Sequence, residues 1–335
     1  MADRKFLVAK SDSTFVSVMK IFFNGIKLYF MNFEKFFKYM AFPIFGQIIG
    51  IALIFFASYI FTIHISSFTT KSPVFDNIPL VFLVLILLTL PGFFIFCKAF
   101  WDYLIAIAAL NSMSSTVLEG GNLEDTGMHA ELIKRRSGSY ILLLLLLSVI
   151  YLILSVPILW GLLVIAFVYL SLSFQVFALE EEKGAFDAIK TGINLVKFNF
   201  IKTSLLLIML GILTYWLLPG LICWGFEKGD LVGFFSYPAE QYIRLLPLND
   251  LNSMLHSLHL PITIKSYDIS KAVVLSCVSF IVTGFTLPMR SLCCTNLYKD
   301  IYKKNYAGKI AADKLASRAQ TRTPKRKRNV EDEEE

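Results

Sequence analysis

Charge is missing where a soluble domain would need it. From Ser137 to Leu179 the chain contains no Asp, Glu, Lys, Arg or His, and charged residues make up only 17% of the whole. Histidine occurs four times and cysteine five times, without the spacing of a zinc site or a disulfide framework. Cys97, Cys223, Cys277, Cys293 and Cys294 therefore read as free thiols serving as small apolar groups, and the adjacent pair Cys293 and Cys294 is the one place where palmitoylation or redox chemistry would be sought. No glycine-rich phosphate loop is present, since Gly120 and Gly121 stand alone and read as a turn. The N-terminus lacks a short apolar core with a small-residue cleavage site, so no cleaved secretory signal is expected. No charge is expected well inside the hydrocarbon zone of any span, which argues against an ion-coupled pump.

What is abundant is apolar surface, with 56% hydrophobic and 15% aromatic residues. A soluble fold would expose large apolar patches at that composition, so lipid is the solvent for much of the chain. A helical crossing needs roughly 20 apolar residues, and the charge-free run from Ser137 to Leu179 is long enough for two, with Pro157 at the turn of a hairpin. The same reasoning sets six spans, near residues 39–63, 78–97, 139–156, 158–179, 203–224 and 271–290. The fold class is thus all-α, a polytopic integral membrane protein. Pro91 is a kink site in the second span, and Lys271 and Arg290 are expected to snorkel to the two interfaces of the sixth.

Of the 32 Lys and Arg residues, only Lys71, Lys228, Arg244, Lys265 and Lys271 fall on one side of this arrangement. Positive residues are retained on the cytoplasmic side, so both termini are expected there. The domain plan has three parts: residues 1–38 as a cytoplasmic N-terminus with a basic amphipathic helix, 39–304 as the membrane domain, and 305–335 as a disordered charged tail. The tail's Lys325 to Arg328 run has the form of a nuclear-localisation signal, but in a polytopic protein it reads instead as a contact for anionic lipid or a partner, weakened by the acidic residues after it. The outer segment 227–270, broken by Pro238, Pro247 and Pro261, either lies on the membrane or re-enters it.

Residues 15–38 and 185–202 each mix large apolar residues with lysine at helical spacing. Each is read as a helix lying in the interface, or as one whose charged face meets water while its apolar face meets the bundle. Lys20, Lys27, Lys35, Lys190, Lys197 and Lys202 become candidates for anionic headgroups, competing with a plain role in setting topology. Gly25, Ile26, Asn32, Phe33 and Lys35 recur at identical spacing as Gly192, Ile193, Asn199, Phe200 and Lys202. Thr-Leu-Pro recurs at Thr89 to Pro91 and Thr286 to Pro288, with a cysteine six residues after each proline. Both copies precede a span from the same side, so a duplication would give a parallel repeat around the central hairpin.

The segment ALEEEKGAFDAIKTGINLVKFNFIKTSLLL resembles the hallmark stretch of bacterial six-span families that include the membrane domain attached to some glycerophosphoryl diester phosphodiesterases. Glu180, Ala188, Ile189, Lys190, Asn199 and Phe200 occupy the family's positions, GIKLYFMNFEKFFKYM resembles its first helix, and LPMRSLCCTNLYKDIYKK its closing one through Pro288 and Tyr298. The resemblance implies the six-span fold and a bacterial cytoplasmic membrane. It does not imply phosphodiesterase activity, which in that family belongs to a separate soluble domain.

His256 and His259, with Asp250 or Asp268, are the closest approach to a metal site, and polar positions on an interfacial helix explain them more simply. Gln47 and Gln175 lie inside spans and would line a pathway if one existed. The expectation is a non-enzymatic scaffold or accessory in envelope or lipid homeostasis, without a cofactor. A transporter or lipid carrier with a pathway between the repeats is the alternative. On either reading the expected partners of the chain are the bilayer, anionic headgroups and another membrane protein; nothing points to nucleic acid.

Overall fold

The computed structural model describes residues 14–71, 78–121, 123 and 125–321. All regular structure among them is helical: α1 (Thr14–Met31), α2 (Phe33–Lys71), α3 (Ile78–Leu118), α4 (Thr126–Arg135), α5 (Ser137–Leu154), α6 (Trp160–Leu170) and α7 (Ser173–Leu179). There follow α8 (Ala185–Lys197), α9 (Phe200–Gly211), a π-helical stretch (Ile212–Leu217), α10 (Leu218–Lys228), α11 (Leu231–Ile243), α12 (Leu248–Ser257), α13 (Ser266–Phe285) and α14 (Leu287–Thr321). Among the described residues seven segments are long and apolar enough to cross a membrane: Thr14–Met31, Phe33–His64, Pro79–Leu118, Ser137–Leu154, Pro157–Leu179, Phe200–Lys228 and Ser266–Lys304. Six correspond to the expected spans; the seventh is α1, the first basic amphipathic segment. Pro157 does open the turn between α5 and α6, as a proline without an N–H suits the first position of a new helical turn. Pro91, the expected kink site, lies within α3, which continues through it. Helix α14 runs on to Thr321, through much of the stretch expected as a disordered tail, while Lys325 to Arg328 lie outside the described residues.

The α2–α3 hairpin is held by small residues. Gly46 and Gly50, four apart on one face of α2, let the backbone of α3 approach: a Cβ on Gly50 would stand 2.6 Å from Phe96 N, and one on Gly46 2.7 Å from Ala99 Cβ. In lipid no hydrophobic force drives helices together, so van der Waals contact between close backbones has to do it. The outward faces of these helices carry Phe55, Phe56, Phe82, Phe93 and Phe94, all exposed, as a lipid-facing surface requires.

The best-buried core lies toward one end of the bundle, where the second half of α3, α4, α7, α8, α1 and the start of α14 meet. Helix α1 runs antiparallel to α14. Going down α1, Lys202 joins Ser17 to Asp300, Phe22 O accepts from Cys293 Sγ, and Tyr29 Oη donates to Phe285 O. Helix α3 runs parallel to α14, with Ser114 bonded to Ser291 and Lys299 bonded to Ser115 O and Glu119. Tyr140 of α5 is fully buried and ties that helix to α3 by donating to Leu104 O at 2.5 Å. At the opposite end, α11 packs beside α13 and α10, with Glu240 accepting from Ser266 and Tyr242 set against Phe55 and Tyr59 of α2.

Candidate functional site

Lys20 and Lys27, two turns apart on α1, are exposed opposite the buried Val18, Ile21, Phe22 and Gly25. Lys190 and Lys197 are likewise exposed on α8, whose buried face is Ala185, Ala188, Gly192, Leu195 and Val196; Lys197 Nζ lies 6.0 Å from the Phe198 ring centroid. Lys35 is half-buried at the start of α2. Lys202 is different. Its side chain is only 7% exposed and its ammonium is shared between Asp300 at 2.6 Å and Ser17 Oγ at 2.7 Å, so it fastens α9 to α14 and α1 and does not face a headgroup.

The two glutamines are not brought together. Gln47 is buried in α2 and returns its Nε2 to Pro43 O, four residues back in the same helix. Gln175 on α7 enters a polar junction between three helices: its Nε2 donates to Asn111 Oδ1 at 3.3 Å, Ser291 Oγ donates to the same oxygen at 2.6 Å, and Ser114 Oγ donates to Ser291. Asn111 completes itself through Nδ2 to Ile107 O, whereas Gln175 Oε1 is buried with no hydrogen-bond partner. Asn111 went unnoticed in the sequence because it lies past Lys98 and Asp102, where a polar residue is unremarked. The available sign was its place directly after the apolar run IAIAAL.

His256 and His259 do not share a helix face. Helix α12 ends at Ser257, and His259 has φ 58°, a left-handed conformation, two residues before Pro261. Among the described residues no group of three or more His, Cys, Asp or Glu side chains could hold a metal ion. The cleft of about 410 Å³ beside α12 is lined by residues including Arg244, Asn249, Asp250, Asn252 and Ser266, and by neither histidine.

The polar feature with most chemical capacity sits where α13 gives way to α14. Pro288 cannot donate to Gly284 O, and the helix breaks at Thr286. The carbonyls left at the end of α13 find side chains: Phe285 O accepts from Tyr29, and Thr283 O accepts from Thr286 Oγ1 and from Arg290 Nη2 at 3.0 Å. Arg290, expected to snorkel away from the span, instead turns back seven residues toward it, about 10 Å along the axis. Its Nη1 donates to Tyr215 Oη, and its guanidinium carbon lies 4.6 Å from the Tyr215 ring centroid. Nε is buried without a partner, and among the described residues no carboxylate pairs with this cation. Tyr215 lies in the π-helical stretch Ile212–Leu217, just ahead of Pro219, which has no N–H for the Tyr215 carbonyl. The sequence signal was the pair of prolines, Pro219 and Pro288, placed to loosen two facing helices.

No family model matches the chain, and neither a curated protein nor a solved structure does.

Proposed function

We propose that this chain is a non-enzymatic scaffold or accessory protein of a bacterial cytoplasmic membrane, engaged in envelope or lipid homeostasis, with six crossings and both termini cytoplasmic. The observation that carries the reading is how the intramembrane amides are used. Gln47 spends its amide N–H within its own helix and Gln175 ties its helix to Asn111 of α3, so both amide donors are engaged inside the bundle, and a fixed frame is what that supports. The lysines of α1 and α8 that face solvent, Lys20, Lys27, Lys190 and Lys197, with Lys35 beside them, then stand where anionic headgroups would meet them.

Six crossings follow if α1 is set outside the hydrocarbon. Helix α13, 20 residues or about 30 Å long, is enough for one crossing, and α1 lies along the stretch beyond it, beside a part of α14 that carries Lys299 and Asp300. The parallel repeat belongs to the same reading. Gly25 and Gly192 are both sites of close helix approach, to Cys293 and Ser173. Asn32 and Asn199 both sit at helix breaks and both return Nδ2 to the carbonyl four residues earlier.

The lipid-carrier alternative draws on one observation, the unpartnered Gln175 Oε1. Reporter fusions near Lys71, Arg135, Lys190, Arg244 and Lys304, combined with cysteine labelling beside Gln47 and Gln175, separate the two. The scaffold reading expects Lys71 and Arg244 outside, the other three inside, and unchanging accessibility at the glutamines. Alternating accessibility from the two sides would replace it with the carrier.

A further inference from the structure

We infer that Arg290 and Tyr215 form a binding site for the phosphate of a membrane phospholipid. A guanidinium offers five N–H donors in a planar fork. Here one goes to Thr283 O and one to Tyr215 Oη, and the described residues supply no carboxylate. A cation taken partly out of water without a counter-charge is costly, and the residue is kept at the edge of a span rather than extended into solvent. An anion presented from the lipid side resolves this, because the remaining Nη donors match two phosphate oxygens at once.

The surroundings fit a lipid rather than a closed pocket. Tyr215 is 59% exposed, so the guanidinium lies against an aromatic ring that reaches the bundle's outer surface, and the next residue, Trp216, is exposed as well. The π-helical stretch adds a second, independent mark, since such widened turns inside a helix are frequent at functional positions; this one carries the residue that contacts the arginine. The site is separate from the lysine faces of α1 and α8. It rests on the membrane-embedded reading above, and it asks for a phosphodiester whatever the net charge of the headgroup.

The test uses the full chain, purified in detergent and delipidated, with native mass spectrometry after adding phosphatidylglycerol, phosphatidylcholine of the same acyl chains, the matching diacylglycerol, or inorganic phosphate. Wild type should retain one phospholipid of either kind and no diacylglycerol, and Arg290→Gln should weaken retention by about tenfold or more, the worth of a charge-assisted pair. Because Arg290 also bonds to the helix break, Tyr215→Phe is the second variant. It leaves the cation in place but removes both the acceptor that orients the guanidinium and the O–H that would donate to the phosphate, and should weaken retention about fivefold. Equal retention by wild type and both variants, or diacylglycerol held as well as phospholipid, overturns the site. Binding of inorganic phosphate that depends on Arg290, without phospholipid retention, overturns the lipid source and assigns a free phosphate. A chain with Lys27, Lys190 and Lys197 all changed to Gln is measured alongside. If its preference for phosphatidylglycerol over phosphatidylcholine is unchanged, the lysine reading fails while the Arg290 arms stand or fall by themselves.

Discussion

Lys202 and Asp300, 98 residues apart in sequence, meet at 2.6 Å with Ser17 Oγ as the third member, so one cation fastens three helices. Removing the cation strands a carboxylate that is 33% exposed and keeps a second contact to Lys304 at 3.2 Å. Lys202→Met should therefore cost about 1–3 kcal/mol, less than a fully buried pair. Lys202→Met with Asp300→Asn should recover part of the loss. Unfolding midpoints in one detergent check both, and binding of Lys202→Met to anionic vesicles should match wild type, as expected of a fastener.

Gly50 sets how closely α2 and α3 approach. Gly50→Leu has to displace the backbone at Phe96 and Gly92, and should destabilise by about 1–3 kcal/mol or split the hairpin. Gly211→Ala, where a Cβ meets nothing within 4 Å, is the control and should be neutral or slightly stabilising. Thermal unfolding with a disulfide reporter engineered across α2 and α3 would show whether the loss is local to the hairpin.

Within the polar junction the order of effects is informative. Asn111 Oδ1 accepts from both Gln175 and Ser291, so Asn111→Leu removes two interhelical bonds and should cost about 1–2 kcal/mol. Gln175→Leu removes one bond and also a buried oxygen that has no partner, and should cost visibly less. Equal losses in urea or thermal unfolding would mean that Gln175 Oε1 has a partner beyond the protein.

His129 gives a pH signature. Its ring is buried beside Ser112 Oγ, 2.9 Å from Nδ1, and burial holds its pKa below the ordinary 6.5, with Asp125 pulling the other way. The native state therefore favours the neutral ring, while the unfolded chain takes up a proton near 6.5. The stabilisation is fully present above about pH 6.5 and is lost as pH falls from there through the lower native value. Melting temperatures of wild type and His129→Gln, measured from pH 8 to pH 5, should converge or cross toward the acid end. Parallel curves would exclude His129 as the source.

The apolar runs were legible because lipid imposes them: a segment that must cross hydrocarbon cannot carry free charge, so Ser137 to Leu179 announces itself. Pro157 as a turn followed from its missing N–H. The partners were not legible. Spacing places Lys20, Lys27 and Lys202 on basic helices alike, but only tertiary structure brings one of the three, Lys202, to Asp300. The i, i+3 spacing of His256 and His259 puts them on one face only within one helix, and this helix ends at Ser257, ahead of Pro261, so both the metal reading and the interfacial-helix reading of His259 fail. Arg290 misled for a similar reason. Snorkelling assumes a straight helix, whereas Pro288 broke this one and freed a carbonyl behind the arginine.

The antiparallel seat of α1 on α14 has a consequence for how the protein is made. The surface that covers Val18, Ile21 and Phe22 includes residues near Cys293 and Leu297, which leave the ribosome after most of the remaining helices. At roughly 5–20 residues per second, α1 waits on the order of tens of seconds with its apolar face unmatched. On the reading proposed above, in which the lysines of α1 meet anionic headgroups, the membrane surface is where the helix rests during that interval. The helix would then be a peripheral lipid-bound segment first and a packed member of the bundle later, so that a stall in synthesis before residue 285 should leave it the part of the chain most open to proteases and chaperones.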